Sequence, residues 1–419
     1  MMKKVYLCID LKTFFASVEC SERHLDPFKT NLVVADPTRG NGALCLAITP
    51  QMKSMGIHNR CRIFEIPKGV EYITAMPRMH LYMEYSARIY RIYCRYVSPD
   101  DIHVYSIDEC FIDITSYMHL YHKSAKEFAK MLMQAVFADT HITATCGIGT
   151  NLYLAKVALD IISKHTKENI GILDEERYQK YLWHHLPITD FWHMGSGTAN
   201  HLLKLGVVDM HGITQIPEEI LYKEFGINAE YIIDHAWGRE PATIASIKKY
   251  RPKNESINNS QVLFSDYEYE DAILVVKEMV ELNVLRLVES RLVTNHISLY
   301  IGYSRTDGGG WSGGSRKLTV RTNSLSVLMD AFISIYHLKV QKGRLIRQIS
   351  ISFGDVLDEA YESYDLFSDI EALEEEKKLQ KAIVSIRHKY GKNAILKLMN
   401  KQEKATTEKR NTLIGGHNA

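Results

Sequence analysis

The chain has 419 residues, 46% hydrophobic and 24% charged, the make-up of a globular protein with room for about two to four domains. Its formal net charge is only +1, so composition does not announce a nucleic-acid binder, and any phosphate contact has to come from local clusters. Its seven cysteines are odd in number and form no Cys-x-x-Cys pair, which argues against a disulfide framework or a zinc site and leads us to expect a reducing cytoplasm. The N-terminus does not read as a signal peptide, and no apolar run is long enough to span a membrane.

In chain order, Val5 to Ile9 is a continuous apolar run, as expected of a strand buried on both faces, and it ends in Asp10. Leu11 to Cys20 reads as a helix with Asp10 placed to cap its first turn, a role that does not exclude metal binding. Residues 31–74 form a small, basic-leaning segment: strand Asn31 to Ala35, a turn-rich stretch, strand Ala43 to Ile48, and a helix Gln51 to Met55 stopped by Gly56. Tyr82, Tyr85, Ile89 and Tyr93 recur at helical spacing within a helix from Met79 to Tyr96. Next, Val104 to Ile107 and Cys110 to Thr115 predict a hairpin that leaves Asp108 and Glu109 at its bend. Acids at a turn are usually solvated turn formers. With Asp10 at a second strand end, however, three carboxylates could meet at one sheet edge, the oxygen-rich setting that Mg²⁺ requires. A helix over Lys123 to Phe137 and a strand Thr143 to Ile148 follow, leading into Gly147-Ile-Gly149. A dinucleotide-binding fingerprint is weak there, because Leu152 stands where the third glycine should be. This order suits an antiparallel sheet with helices on one face.

Ser106-Ile-Asp-Glu109, preceded by Ile9-Asp-Leu-Lys-Thr-Phe-Phe-Ala-Ser-Val-Glu19, resembles the paired signature of Y-family (translesion) DNA polymerases of the DinB/UmuC type. Further segments agree along nearly the whole chain. The resemblance implies an α+β, multidomain right-hand polymerase: palm in 1–30 and 75–165, fingers in 31–74, and a thumb with a helix-hairpin-helix in 166–243. A linker in 244–259, a little finger in 260–357 and a charged C-terminal tail in 358–419 would follow. It implies low-fidelity, template-directed synthesis without proofreading, acting on primer-template DNA and dNTPs. Two Mg²⁺ ions would be held by Asp10, Asp108, Glu109 and the Leu11 carbonyl. Phe15 would sit beneath the nucleotide sugar as a steric gate, the Phe14 amide would touch phosphate, and Lys53 and Lys164 would steady the triphosphate. Ala47 and Pro50 depart from the pattern, standing where threonine and tyrosine commonly help to hold the triphosphate.

Between 188 and 206, two short helices joined by Gly195-Ser-Gly197 and closed by Gly206 read as the helix-hairpin-helix, whose glycines let backbone approach a DNA phosphate. His193 and His201 lack companions at metal-ligand spacing. Residues 244–259 read as a basic linker able to cross a DNA groove, with Lys248, Lys249, Arg251 and Lys253 around Pro252. A second β/α unit follows, with strands over 260–264, 296–303, 316–321 and 347–353 and helices over 270–289 and 324–338. Its glycine-rich Gly308 to Gly314 predicts a mobile loop, in which Trp311 either stacks on a base or tucks onto the sheet. The tail is acidic to Glu376; its stretch 377–410 then carries eleven Lys and Arg, the pattern of a solvated helix face or a disordered arm. Ser363-Tyr-Asp-Leu-Phe367 resembles the peptide by which bacterial polymerases hook the sliding clamp, with Leu366 and Phe367 as apolar anchors. Two rival readings are a nucleotide cyclase built on a palm-like sheet and a non-catalytic DNA-binding scaffold.

Overall fold

The computed structural model describes residues 4–252, 255–366 and 368–419. It divides into two compact units, Met1–Tyr250 and Arg251–Asn418. All seven cysteines are free thiols, and no helix among the described residues is long and apolar enough to cross a membrane.

The first unit is built on β1 (Tyr6–Leu11), the central strand of a five-stranded sheet. Helix α1 (Phe14–Glu22) follows. A small second sheet is formed by β2 (Leu32–Val34), β3 (Ala47–Ile48) and β4 (Ile73–Ala75), with α2 (Pro50–Ser54) after β3. In it β2 runs antiparallel to β3 and parallel to β4. The chain then returns through α3 (Met79–Tyr93), β5 (Ile102–Val104), β6 (Glu109–Asp113), α4 (Tyr117–Leu120), α5 (Ala125–Thr140), β7 (Ala144–Gly149), α6 (Leu152–Val157) and β8 (Ile170–Leu173). The main sheet has the order β5-β6-β1-β7-β8 and is mixed, because β7 and β8 are parallel.

Two local expectations are corrected here. Asp10 does not cap a helix: β1 pairs with β7 out to Leu11, so extended backbone passes through Asp10 and α1 starts only at Phe14, after Thr13 in the left-handed region. The hairpin bend lies at 105–108, and the Tyr105 and Ser106 amides both donate to the Glu109 carbonyl, at 2.9 and 3.0 Å. Glu109 is therefore the first residue of a strand rather than part of the bend.

Nor do the helices keep to one face. Leu7, Ile9, Leu11 and Ile112 pack beneath α1, α3 and α5 through Phe14, Tyr82, Ile89, Phe128 and Leu132. On the opposite face Tyr6, Cys8 and Phe111 pack against Leu152, Ala155 and Leu159. Glycines permit this second layer. A Cβ on Gly147 would lie 2.0 Å from the Ala155 carbonyl oxygen, one on Gly149 2.2 Å from the Ala155 nitrogen, and one on Gly171 2.3 Å from the Ala158 oxygen. Gly147-Ile-Gly149 is thus a bed on which α6 rests its backbone, rather than a phosphate loop.

Five further helices, α7 (Glu175–Leu182), α8 (Ser196–Lys204), α9 (Met210–Thr214), α10 (Glu218–Phe225) and α11 (Ala229–Ala236), close around Tyr178, Phe191, Leu202, Ile213 and Ile232. The first helix of the expected helix-hairpin-helix is a single 3-10 turn, Ile188–Asp190. The expected linker is also largely ordered. Residues of α12 (Ile244–Lys249) pack onto the first unit through buried Ile244, and a strand begins at Glu255.

The second unit contains β9 (Glu255–Tyr267), α13 (Tyr269–Ser290), β10 (Leu292–Tyr303), β11 (Trp311–Thr322), α14 (Leu325–Lys339) and β12 (Ile346–Asp358). The sheet order is β11-β10-β12-β9, all antiparallel. Only Gly308 to Gly310 of the expected glycine loop form the turn. Trp311 already belongs to β11 and lies over Gly302, where an added Cβ would come within 3.1 Å of its ring.

The basic tail is neither a disordered arm nor a fully solvated face. Helix α15 (Ile370–Tyr390) lies against α13, and α16 (Thr407–Arg410) leads to the hairpin of β13 (Leu413–Ile414) and β14 (His417–Asn418). Glu278, buried on α13, accepts hydrogen bonds from Asn400 Nδ2 (3.0 Å), the Thr406 amide (2.7 Å) and hydroxyl (3.0 Å) and the Thr407 amide (3.2 Å). A buried carboxylate needs this many donors, and the tail supplies them.

Candidate active site

Asp10 and Glu109 are direct cross-strand partners, so their side chains leave the sheet on the same face. The Leu11 amide donates to the Asp108 carbonyl at 3.0 Å. The backbone thus brings Asp10, Leu11, Asp108 and Glu109 to one sheet end. The side chains are turned to separate partners. Ser106 Oγ donates to Asp108 Oδ1 at 2.7 Å, and the Cys8 thiol donates to Glu109 Oε1 at 3.0 Å. Lys156 Nζ pairs with Glu109 at 2.8 Å. The three carboxylates do not form one group with ligand atoms within 4.8 Å; among the described residues His184, Asp209 and His211 do.

Burial pushes the Asp10 carboxyl up from 3.8 to about 7, and the nearby Asp108 and Glu109 charges push it the same way, against Lys156 and Lys164. Negative charge at this point is under-compensated by the protein itself. Hard oxygen donors with unneutralised charge are what a divalent cation such as Mg²⁺ takes, so the residues fit that group.

Lys156 was not singled out in the sequence. It is buried and bridges Glu109 to Asp160, 3.0 Å away, and Lys164 stands 3.6 Å from the other oxygen of Asp160. A lysine inside the apolar run Leu152 to Ile162, four residues before an acid, was the available signal. Lys53 reaches the same neighbourhood from α2. Its side chain is exposed, yet the surrounding protein desolvates it and lowers its pKa, with Asp10 acting against this and Lys164 and Lys12 reinforcing it. Asp10 and Lys164 are therefore close enough to Lys53 for their charges to act on it.

Phe14 is 2% exposed and belongs to the core. Phe15 is half-buried and stacks on Tyr82 with ring centroids 4.5 Å apart. That platform is fixed from behind. The Tyr82 hydroxyl donates to buried Glu19 at 2.7 Å, and Arg78 donates to both Glu19 oxygens at 3.0 and 2.7 Å. Burial opposes the Glu19 charge, but the hydrogen bonds from Arg78, Tyr82 and Arg23 outweigh it and hold the carboxyl below its ordinary range. Ala47 is buried in the core, and Pro50 occupies the first position of α2, where an amide would have no helical partner anyway.

Farther out, Gly195 precedes α8 and Gly197 lies in its first turn; a Cβ on either would meet nothing within 4 Å. His193 is flanked by Trp192 and His235, and His201 bonds Glu224. Lys248 donates to the Pro99 carbonyl, Lys249 and Arg251 are exposed, and Lys253 lies outside the described residues. Leu366 is 98% exposed, while Phe367 also lies outside the described residues.

Comparison with known proteins places the chain in a family. Residues 9–160 match the impB/mucB/samB family and residues 254–366 match that family's C-terminal domain. The chain is 31% identical over 419 residues to "Putative UV-damage repair protein UvrX" of Bacillus subtilis (strain 168), covering 99% of this chain and 98% of that one. It is 28% identical over 425 residues to DNA polymerase IV 2 of the same organism, covering 100% and 99%. To DNA polymerase IV of Moorella thermoacetica it is 27% identical, over 93% of this chain and 94% of that one. A solved Y-family DNA polymerase chimera superposes with a TM-score of 0.64 at 19% identity, over 84% of this chain and 99% of the chimera. The fold is that of a right-hand polymerase. The chain belongs to the impB/mucB/samB family and, with it, to the Y-family DNA polymerases of the DinB/UmuC type.

Proposed function

We propose that this Y-family polymerase extends a primer along a template with low fidelity, acting in DNA damage tolerance. The cross-strand pairing of Asp10 with Glu109, with Asp108 adjacent and Lys53 and Lys164 nearby, carries the reading. Asp10, Asp108, Glu109 and the Leu11 carbonyl would hold two Mg²⁺ ions. When bound, these would lower the pKa of the primer 3′-hydroxyl and neutralise charge on the triphosphate. Lys156 holds Glu109 in place and, through Asp160, is linked to Lys164. Lys53 and Lys164 would grip the phosphates, the Phe14 amide would assist them, and the Phe15 ring would lie beneath the sugar. A 2′-hydroxyl would meet that ring, so deoxyribose is selected.

In this reading the five-stranded sheet with α1, α3, α5 and α6 is the palm, and the β2–β4 segment is a small fingers domain. Helices α7 to α11 form the thumb, and the second unit is the little finger with the tail as part of it. The open backbone at Gly195 and Gly197, at the positive end of α8, suits a DNA phosphate. Lys248, Lys249, Arg251 and Lys253 add positive charge along the connection. Leu366, with Phe367, would hook the sliding clamp. Its support is that Ser363 is pinned to β11, its amide donating to the Arg321 carbonyl at 2.9 Å, while Leu366 projects into solvent.

Purified protein with Mg²⁺ and dNTPs should add template-directed nucleotides to a primer. Binding without extension would favour the scaffold reading, and cyclic product without DNA would favour the cyclase. Equal retention of wild type and Leu366→Ala/Phe367→Ala on clamp protein would reject the clamp assignment.

A further inference from the structure

One cluster of ligating side chains lies outside the residues assigned to polymerisation above. Asp209 caps α9: its Oδ1 accepts the Gly212 amide at 2.7 Å, leaving Oδ2 to face His184 Nδ1 at 2.8 Å. His211, on the same helix, has its ring centroid 4.9 Å from that of His184. One ligand atom from each of His184, Asp209 and His211 lies within 4.8 Å of the other two. A tetrahedral ion with bonds of about 2.0–2.1 Å sets its ligand atoms roughly 3.3 Å apart. The His184–Asp209 separation of 2.8 Å lies below that value and all three separations lie within 4.8 Å, and His184 is exposed enough to adjust its rotamer.

The frame around the cluster is rigid where it needs to be. The His211 amide donates to the Trp183 carbonyl at 3.1 Å, tying the segment that carries His184 to α9. Trp183 Nε1 donates to the Ala236 carbonyl at 2.8 Å, and its ring packs against Trp237 and His211. Capping engages one Asp209 oxygen and orients the other, as outer-shell hydrogen bonds do for metal-binding carboxylates. Two imidazoles and one carboxylate form a borderline donor set, suited to Zn²⁺ rather than to Mg²⁺, which prefers oxygen.

We propose that His184, Asp209 and His211 form a site for one Zn²⁺-class ion, with water in the fourth position, that ties the end of α7 to α9. It is separate from the Mg²⁺ site, and its test does not depend on polymerase activity. The test uses the full chain, stripped with a chelator and titrated with Zn²⁺ in excess Mg²⁺ against a chromophoric indicator. Wild type is compared with His184→Ala, His211→Ala and, as a control, Asp108→Ala/Glu109→Ala. Wild type and the control should take up one equivalent more than either histidine variant, and Zn²⁺ should raise the melting temperature only where that equivalent is bound. His184 is exposed, so His184→Ala keeps the comparison valid if His211→Ala folds poorly. Equal zinc uptake by wild type and His184→Ala would overturn the proposal and leave an N-cap hydrogen-bonded to a histidine.

Discussion

The two large sheets meet opposite demands. In the first unit, strands of 3 to 6 residues are covered by helices on both faces, and the acids proposed to hold metal stand at strand ends. In the second, strands of 12 or 13 residues carry α13 and α14 on one face, while Val262, Tyr300 and Trp311 on the other are largely exposed. A short, doubly covered sheet can fix a few atoms within tenths of an ångström. A long, singly covered sheet instead presents an area. Single substitutions should therefore act sharply in the first unit and by degrees in the second.

The largest effect is expected at the acids. Asp108→Ala or Glu109→Ala should lower primer extension by about 10³-fold or more, since ~4 kcal/mol of charge stabilisation is within reach of a metal-assisted transfer. Primer-template binding, followed by gel shift, should stay close to wild type because these groups do not face DNA in this reading. Wild-type extension by either variant would remove the metal-holding role from this sheet end and, with it, the contrast between point and area.

Next come the adjacent phenylalanines, which the structure separates into one core residue and one half-buried residue. Phe14→Ala should cost about 3–5 kcal/mol of stability, the range for emptying a buried aromatic site. Phe15→Ala should leave the fold closer to intact and raise ribonucleotide over deoxynucleotide incorporation by roughly one to several orders of magnitude, each tenfold being ~1.4 kcal/mol. Single-turnover incorporation by both variants measures this. A change of sugar selectivity in Phe14→Ala alone would reverse the assignment.

How much of this was legible in the sequence depended on whether the deciding contact was local. Asp10 and the Asp108-Glu109 pair could be read because strand-end acids stand out against apolar runs. That Asp10 remains in a strand could not, because the pairing that extends β1 comes from Ala144, far away in sequence. Gly147 and Gly149 looked like half of a phosphate loop because a glycine bed serves a close-lying helix and a close-lying phosphate equally well. Lys156 was hidden because a buried lysine is rare and its partner Glu109 lies on a strand 47 residues upstream of this helix. The tail looked solvated because its composition is basic, and the carboxylate that receives it, Glu278, sits more than a hundred residues upstream.

That carboxylate gives the graded case. Glu278→Ala strips the partner from the Asn400 side chain and from the Thr406 and Thr407 amides, and each buried donor left unpaired costs about 1–3 kcal/mol unless it reaches water. The tail can reach water by peeling away, so the net loss should stay near ~2 kcal/mol while protease sensitivity rises within 391–412. Unchanged protection of that stretch would mean that packing along α15, rather than this carboxylate, holds the tail.

The smallest expected effect separates the cost of a fixed point from its use. Asp10 is raised from 3.8 to about 7 in the metal-free fold, so between those values the folded chain binds a proton that the unfolded chain does not. The stabilisation this gives is fully present below about pH 4 and is lost as pH rises through about 7. In a chelator, wild-type stability should therefore decline across that window. Asp10→Asn should remove that decline and be more stable at pH 7.5 by about 1–2 kcal/mol, less than the full linkage value because the carboxyl is partly solvated and Asp108 and Glu109 can relax. Added Mg²⁺ should stabilise wild type at pH 7.5 and leave the variant nearly unmoved, since the charge that destabilises the empty fold is the charge that would hold the ion. Urea melts of both proteins at pH 5 and pH 7.5, with and without Mg²⁺, measure these differences. If wild type and variant lose the same stability between the two pH values, Asp10 is not the strained group, and the sharpness of this sheet end has another origin.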